Sequence, residues 1–228
     1  GLLNNTPSNT PNWASRGQVK LKVGTGAYTT LTADELLDNT VGKVGYFGFK
    51  DITSIVQANP INSTYTIGNI VTQTGSNTYG GWTIVVVYNN VYESMKNLTV
   101  FDGLANVSAG SAGTVLIPIS GFLTPPTGAV NFELGVVGHD GDRAQTGDQL
   151  EFNGAGTFVN ISDPIHPINN VFNSTISNNG VLTPLRIPSY NNNLGHDANI
   201  YVPNNSTFNY IGNSATSASI RVSTVSET

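Results

Sequence analysis

The chain has 228 residues, of which 38% are hydrophobic and only 10% charged, with a net charge of −5 and no cysteine. That length accommodates one large all-β domain or two small ones with a sizeable core, and the apolar content excludes a disordered chain. No apolar run is long enough to insert in a membrane, nine scattered basic residues form no stripe for nucleic acid, and the lack of cysteine excludes disulfides, thiolate metal sites and thiol catalysis.

Residues 1–12 are rich in Asn, Thr and Pro and predict an extended N-terminal arm over 1–15, followed by a single domain over 16–228. Gln18–Val23 alternates polar and apolar residues, as a strand with one wet face does. Gly24-Thr25-Gly26 turns the chain, Tyr28–Thr32 returns, Ala33–Leu37 reads as a single helical turn, and Val44–Phe49 resumes extended structure. Asp51–Val56 is the best helix candidate, with Asp51 as cap and Ile52, Ile55 and Val56 on one face. Thr64–Ile67 is the next strand. Trp82–Tyr88 follows, an apolar β-branched run opened by Gly80-Gly81 and closed by Asn89-Asn90. It carries the signature of a strand buried on both faces, with Trp82 as a core anchor. Further strands are expected at Asn97–Phe101, Thr114–Pro118, Val130–Val137, Asp148–Phe152, Phe158–Ile161, Val171–Ser177, Asn199–Val202 and Ala218–Ser223. The last runs close to the terminus, as if more protein followed.

Many short strands between Asn- and Gly-rich turns predict an all-β fold. The expected form is a two-layer antiparallel β-sandwich, jelly-roll-like, with one or two very short helices. Solubility rests on Asn, Thr, Ser and Gly, since charge falls well below the roughly 25% of ordinary domains. Such a balance suits a secreted or cell-surface protein.

The run Gly80–Tyr88, followed by Asn97-Leu98-Thr99-Val100-Phe101-Asp102-Gly103, resembles a family of uncharacterised domains in very large secreted bacterial surface proteins, adhesin-like and gliding-adhesin-like. Gly138–Arg143 with Gly147-Asp148, Val171–Ser177, Leu194–Ala198 and the short Asp51–Val56 helix are similar in the same order, so the likeness spans roughly residues 45–224. It implies a structural or adhesive surface module, part of a fibre or large repeat adhesin, whose partners are other domains or subunits. It implies no catalytic residues.

Acidity concentrates in His139–Asp148. Calcium takes several hard oxygens from a sharply turning loop, so Asp140, Asp142 and Asp148, completed by Asp197 of a second Gly-His-Asp or by Asp102, are candidate Ca2+ ligands. Asp-Gly pairs are also ordinary turn residues. Of the three histidines, His139 and His196 share the Gly-His-Asp setting, but the sequence supplies no close pair for zinc. Neither a nucleophile elbow nor a carboxylate pair emerges, which argues against an enzyme. Tyr190 and Tyr210, in Asn-rich surroundings, are the candidates for contact with a ligand or neighbouring subunit. A calcium-dependent, lectin-like domain that binds glycans is the alternative. Asn62, Asn97, Asn106, Asn160, Asn173 and Asn204 begin glycosylation triplets of low specificity.

Overall fold

The computed structural model describes residues 12–39, 45–60, 62–74, 78–109, 113–183 and 189–226. Most of the expected N-terminal arm lies outside these residues. The fold is mostly β, with largely antiparallel sheets and one short α-helix. Contacts divide the chain into two compact units, Gly1–Ile84 with Asp102–Leu104, and Val85–Phe101 with Ala105–Thr228. Among the described residues no helix is long and apolar enough to cross a membrane.

The first unit opens with a 3-10 turn, Trp13–Ser15. Its three-stranded sheet places β1 (Gln18–Val23) between β2 (Thr29–Thr32) and β5 (Tyr65–Gly68). The alternation of β1 sends Leu21, 1% exposed, into the interior. The helical turn expected at Ala33–Leu37 is instead a strand, β3 (Glu35–Asn39), paired with β4 (Gly45–Phe49). Leu36 lies opposite Gly48 in that hairpin, so cross-strand pairing overrides the local helical pattern. Bidentate Arg16–Asp38 bonds of 2.7 and 2.6 Å reach across from the turn before β1. Helix α1 (Thr53–Gln57) begins one residue later than expected, yet the Asp51 carboxylate still accepts the Thr53 N–H at 2.8 Å.

The second unit contains two four-stranded sheets. One has the order β6 (Thr114–Ser120), β13 (Ser217–Ser223), β8 (Gln149–Asn153), β9 (Val159–Asn160). The other runs β11 (Val181–Leu182), β10 (Ile176–Asn178), β12 (Gly195–Tyr201), β7 (Leu134–Gly141). All pairs are antiparallel except β10 with β12. The β10–β11 hairpin uses Asn179-Gly180, both with positive φ (48° and 72°), the combination that a type I′ turn requires. One core takes Ile119 from β6, Leu150 and Phe152 from β8, Ala218 from β13 and Tyr201 from β12, with Val171, Ile161 and Ile211 from loops. Burying a side chain such as Phe152 stabilises the fold by about 1.5–3 kcal/mol.

Two expected strands are corrected. Trp82–Tyr88 and Asn97–Phe101 form no strand and join no sheet of the described residues, and much of their apolar surface faces solvent: Trp82 is 45% exposed and Val87 61%. Strand propensity favours extended dihedrals, but a strand becomes buried only when a ladder partner lies alongside, and these segments have none among the described residues. The expected strand buried on both faces, with Trp82 as a core anchor, is therefore not formed. Likewise Val171–Ser177 is a strand only at its end, and β7 starts four residues after Val130.

Candidate functional site

The two Gly-His-Asp motifs meet side by side. In the β7–β12 pair His196 lies opposite His139 and Asp197 opposite Gly138, whereas Gly195 lies opposite Gly141. Asp140 is therefore the extra residue of a β-bulge, and its φ of 71° is the left-handed conformation such a bulge demands. The imidazole rings of His139 and His196 are 4.9 Å apart. His139 keeps open surface, yet desolvation by the chain around its ring and then repulsion from His196 pull its pKa down to about 4. The motif glycines serve packing. A Cβ on Gly138 would meet the Phe172 ring at 2.8 Å, and one on Gly141 would strike the Asp197 carboxylate and lie 2.5 Å from the Phe172 carbonyl oxygen.

Below this pair lies a buried polar network that the sequence did not announce. Asp197 has no exposed surface. Its Oδ1 accepts the N–H groups of Asn173 (3.1 Å) and Thr175 (2.9 Å), and its Oδ2 accepts that of Ser174 (3.1 Å). Ser174 adopts a φ of 61°, which turns three successive amides toward one carboxylate, an anion-binding nest filled by the chain's own aspartate. The Ser174 hydroxyl donates to the Gly141 carbonyl and accepts the Gly195 N–H at 2.8 Å, tying the cradle to both strands. Burial pushes the Asp197 carboxyl above its ordinary range, against the opposing pull of the Thr175 and Ser174 amides.

His166, also fully buried, continues the network. Its Nδ1 lies 2.7 Å from Asp163 Oδ1 and its Nε2 2.7 Å from the Thr175 hydroxyl, while its ring packs edge-on against Tyr201 at 5.3 Å. Asp163 Oδ1 additionally accepts the N–H groups of Ile165 and His166, both at 3.0 Å. Asp148, 2% exposed, accepts the Phe172 N–H at 2.7 Å through Oδ2, and burial raises its pKa. Among the described residues its Oδ1 has no hydrogen-bond partner, and neither has Oδ1 of Asn170, its neighbour across an isolated bridge.

Four of the candidate calcium ligands are thus dispersed in role. Asp197 and Asp148 hold main-chain amides, Asp140 forms the bulge, and Asp142 is exposed. No group of three or more His, Cys, Asp or Glu residues that could hold a metal ion occurs among the described residues. Tyr190 is 67% exposed, whereas Tyr210 is half-buried, packs on Phe132 at 5.9 Å and donates its hydroxyl to the Asn160 carbonyl at 2.7 Å. Asn173, the first residue of one glycosylation triplet, is buried and donates to the Ile165 carbonyl at 2.8 Å, which removes it as a glycan acceptor in the folded chain. The only sequence hint of the nest was its cluster of short polar residues, Asn173-Ser174-Thr175, which compete with ladders for backbone groups.

Comparison with protein-family models, with curated proteins and with solved structures returned no match to this chain.

Proposed function

We propose that the chain is a non-enzymatic structural or adhesive module of a secreted or cell-surface bacterial protein, working beside other domains or subunits of a fibre or large repeat adhesin. In this reading the two sheets of the second unit stack as the layers of a jelly-roll-like sandwich, a view supported by the core that draws on strands of both. The carrying observation is where the buried polar side chains go. Both oxygens of Asp197, Oδ1 of Asp163 and the amide of Asn205 hold main-chain groups, with Asn205 alone holding the carbonyls of Val130 (2.9 Å) and Ile211 (2.8 Å) and the Tyr210 N–H (3.1 Å). Carboxylates and amides used this way lock loops without disulfides, as a load-carrying or display domain needs. The test is display on a non-adherent bacterium, with attachment counted on glass, mucin and host cells and single-molecule pulling on the isolated chain. No gain in attachment together with unfolding at low force would end this reading.

A second reading is favoured by the partnerless oxygens of Asp148 and Asn170, hard donors in the acidic segment. In it the chain is a calcium-dependent, glycan-binding domain. A glycan array probed with and without calcium, alongside melting with added chelator, separates the two: chelator-sensitive glycan hits favour the lectin, while a blank array and an unchanged melt favour the scaffold.

A further inference from the structure

The most exposed apolar stretch of the described chain is Val85–Phe101, which belongs to the second unit. Val86 is 53% exposed, Val91 84% and Tyr92 95%. The segment turns at Asn90, with Glu93 N–H on the Asn90 carbonyl at 3.1 Å and Tyr92 N–H on Asn90 Oδ1 at 3.0 Å. From Val85 to Asn89 the backbone meets no hydrogen-bonding group of the described residues. Water can serve those amides, but it cannot satisfy the side chains. Val85, Val86, Val87 and Tyr88 are each more than half exposed, so the segment shows apolar surface whichever way its side chains alternate, as a strand at home inside a sheet would.

We propose that Val85–Val91 adds as a strand to the open edge of β7 in a second copy of this chain. Extended segments without partners bind exposed sheet edges through main-chain bonds, with side-chain matching setting the choice. The second unit offers two long edges, β6 and β7. β6 carries Pro118, which lacks an N–H and guards an edge. β7 presents Leu134-Gly135-Val136-Val137-Gly138, five uncharged residues before the Asp140 bulge, with Val137 49% exposed. β7 is the outer strand of its sheet, and a Cβ built on Gly135 would meet nothing within 4 Å, so side chains of an added strand meet no crowding on that face. Val85–Val91 has no charged residue either, so arm and edge match as neutral, apolar, strand-forming surfaces carried by one molecule. Because arm and edge are different surfaces, the contact closes reciprocally into a dimer or continues as a fibre. The inference is independent of adhesion: it holds whatever the module displays.

Sedimentation velocity over a dilution series tests it on the full chain and three variants. Val86→Pro blocks ladder bonding in a segment that makes none with the described residues, and Val137→Lys charges the β7 edge. Leu116→Lys, on β6, is the control. The expected result is a self-associating parent whose association constant falls tenfold or more with V86P and with V137K and stays unchanged with L116K, circular dichroism being the same for all four. A parent that sediments as a monomer at every concentration overturns the proposal, as does loss of association with L116K but not with V137K. Hydrogen exchange gives a second arm: protection of the 85–91 amides should track assembly, and protection in the monomer means that the arm pairs within its own chain, which also overturns it.

Discussion

Replacing Asp197 by alanine should unfold the second unit's cradle at a cost that can be worked from its bonds. The change strips acceptors from the buried N–H groups of Asn173, Ser174 and Thr175 and from Asn199 Nδ2, 3.4 Å away. An unsatisfied buried donor costs about 1–3 kcal/mol, so three main-chain donors lose about 3–6 kcal/mol once partial relaxation is allowed. A domain is stable by only about 5–15 kcal/mol, so this is a large fraction. Opposing it is the relief of burying a carboxylate, visible in the raised pKa of Asp197. Main-chain amides surround both oxygens, so we expect the loss to dominate, with the urea midpoint falling by about 2 M at a slope near 2 kcal/mol/M. Asp197→Asn keeps one oxygen and should cost about 2 kcal/mol. Both tryptophans, Trp13 and Trp82, belong to the first unit, so fluorescence is the wrong probe. Peptide-resolved hydrogen exchange over 171–178 and 195–201 is the right one. A neutral or stabilising D197A, with Asn173–Thr175 amides as protected as in the parent, would refute the cradle as a stabilising element.

Gly141→Ala places a methyl 2.5 Å from the Phe172 carbonyl oxygen and against Asp197, and should cost about 3 kcal/mol or more; thermal melting checks it, and an unchanged melt contradicts the close approach. Asn205→Ala abandons the Val130 and Ile211 carbonyls and the Tyr210 amide, with an expected loss of about 2–4 kcal/mol in urea titration, whereas the same exchange at exposed Asn192 should change stability little. His139 should titrate by NMR near its depressed value of about 4. Its pKa is lower folded than unfolded, so the stability it contributes is present above about pH 6.5 and is lost as pH falls through about 4. The ring keeps open surface, so solvent tempers the size of that loss, and a midpoint near 6.5 would show that the imidazole is not shielded at all.

Where one segment's pattern and its pairing agree, the fold was legible. Gln18–Val23 alternates with a period of two and is a strand at those boundaries, and Ala218–Ser223 lies within β13. Trp82–Tyr88 misled because β-branched residues set dihedrals, while burial depends on a partner that local sequence does not specify. Val171–Ser177 misled differently. Its amides have two suitors, a ladder and the Asp197 carboxylate, and the carboxylate takes those of 173–175 so that β10 begins only at Ile176. At the site, the repeated Gly-His-Asp was visible but the register that sets His139 against His196 was not. The nest was hidden because a serine, not a glycine, supplies the left-handed turn at its centre.

The order β6-β13-β8-β9 has a consequence for how the molecule is born. Thr114 of β6 pairs with Ser223, and so does Gln149 of β8, which means that the strand filling the gap between them is made after both. Until it emerges, β6 and β8 have nothing to join them, and more than a hundred residues must wait with apolar flanks uncovered. Contacts this remote in sequence form slowly. A nascent chain would therefore stay pliable, and open to chaperones or to neighbouring chains, for longer than a hairpin-by-hairpin meander of the same length.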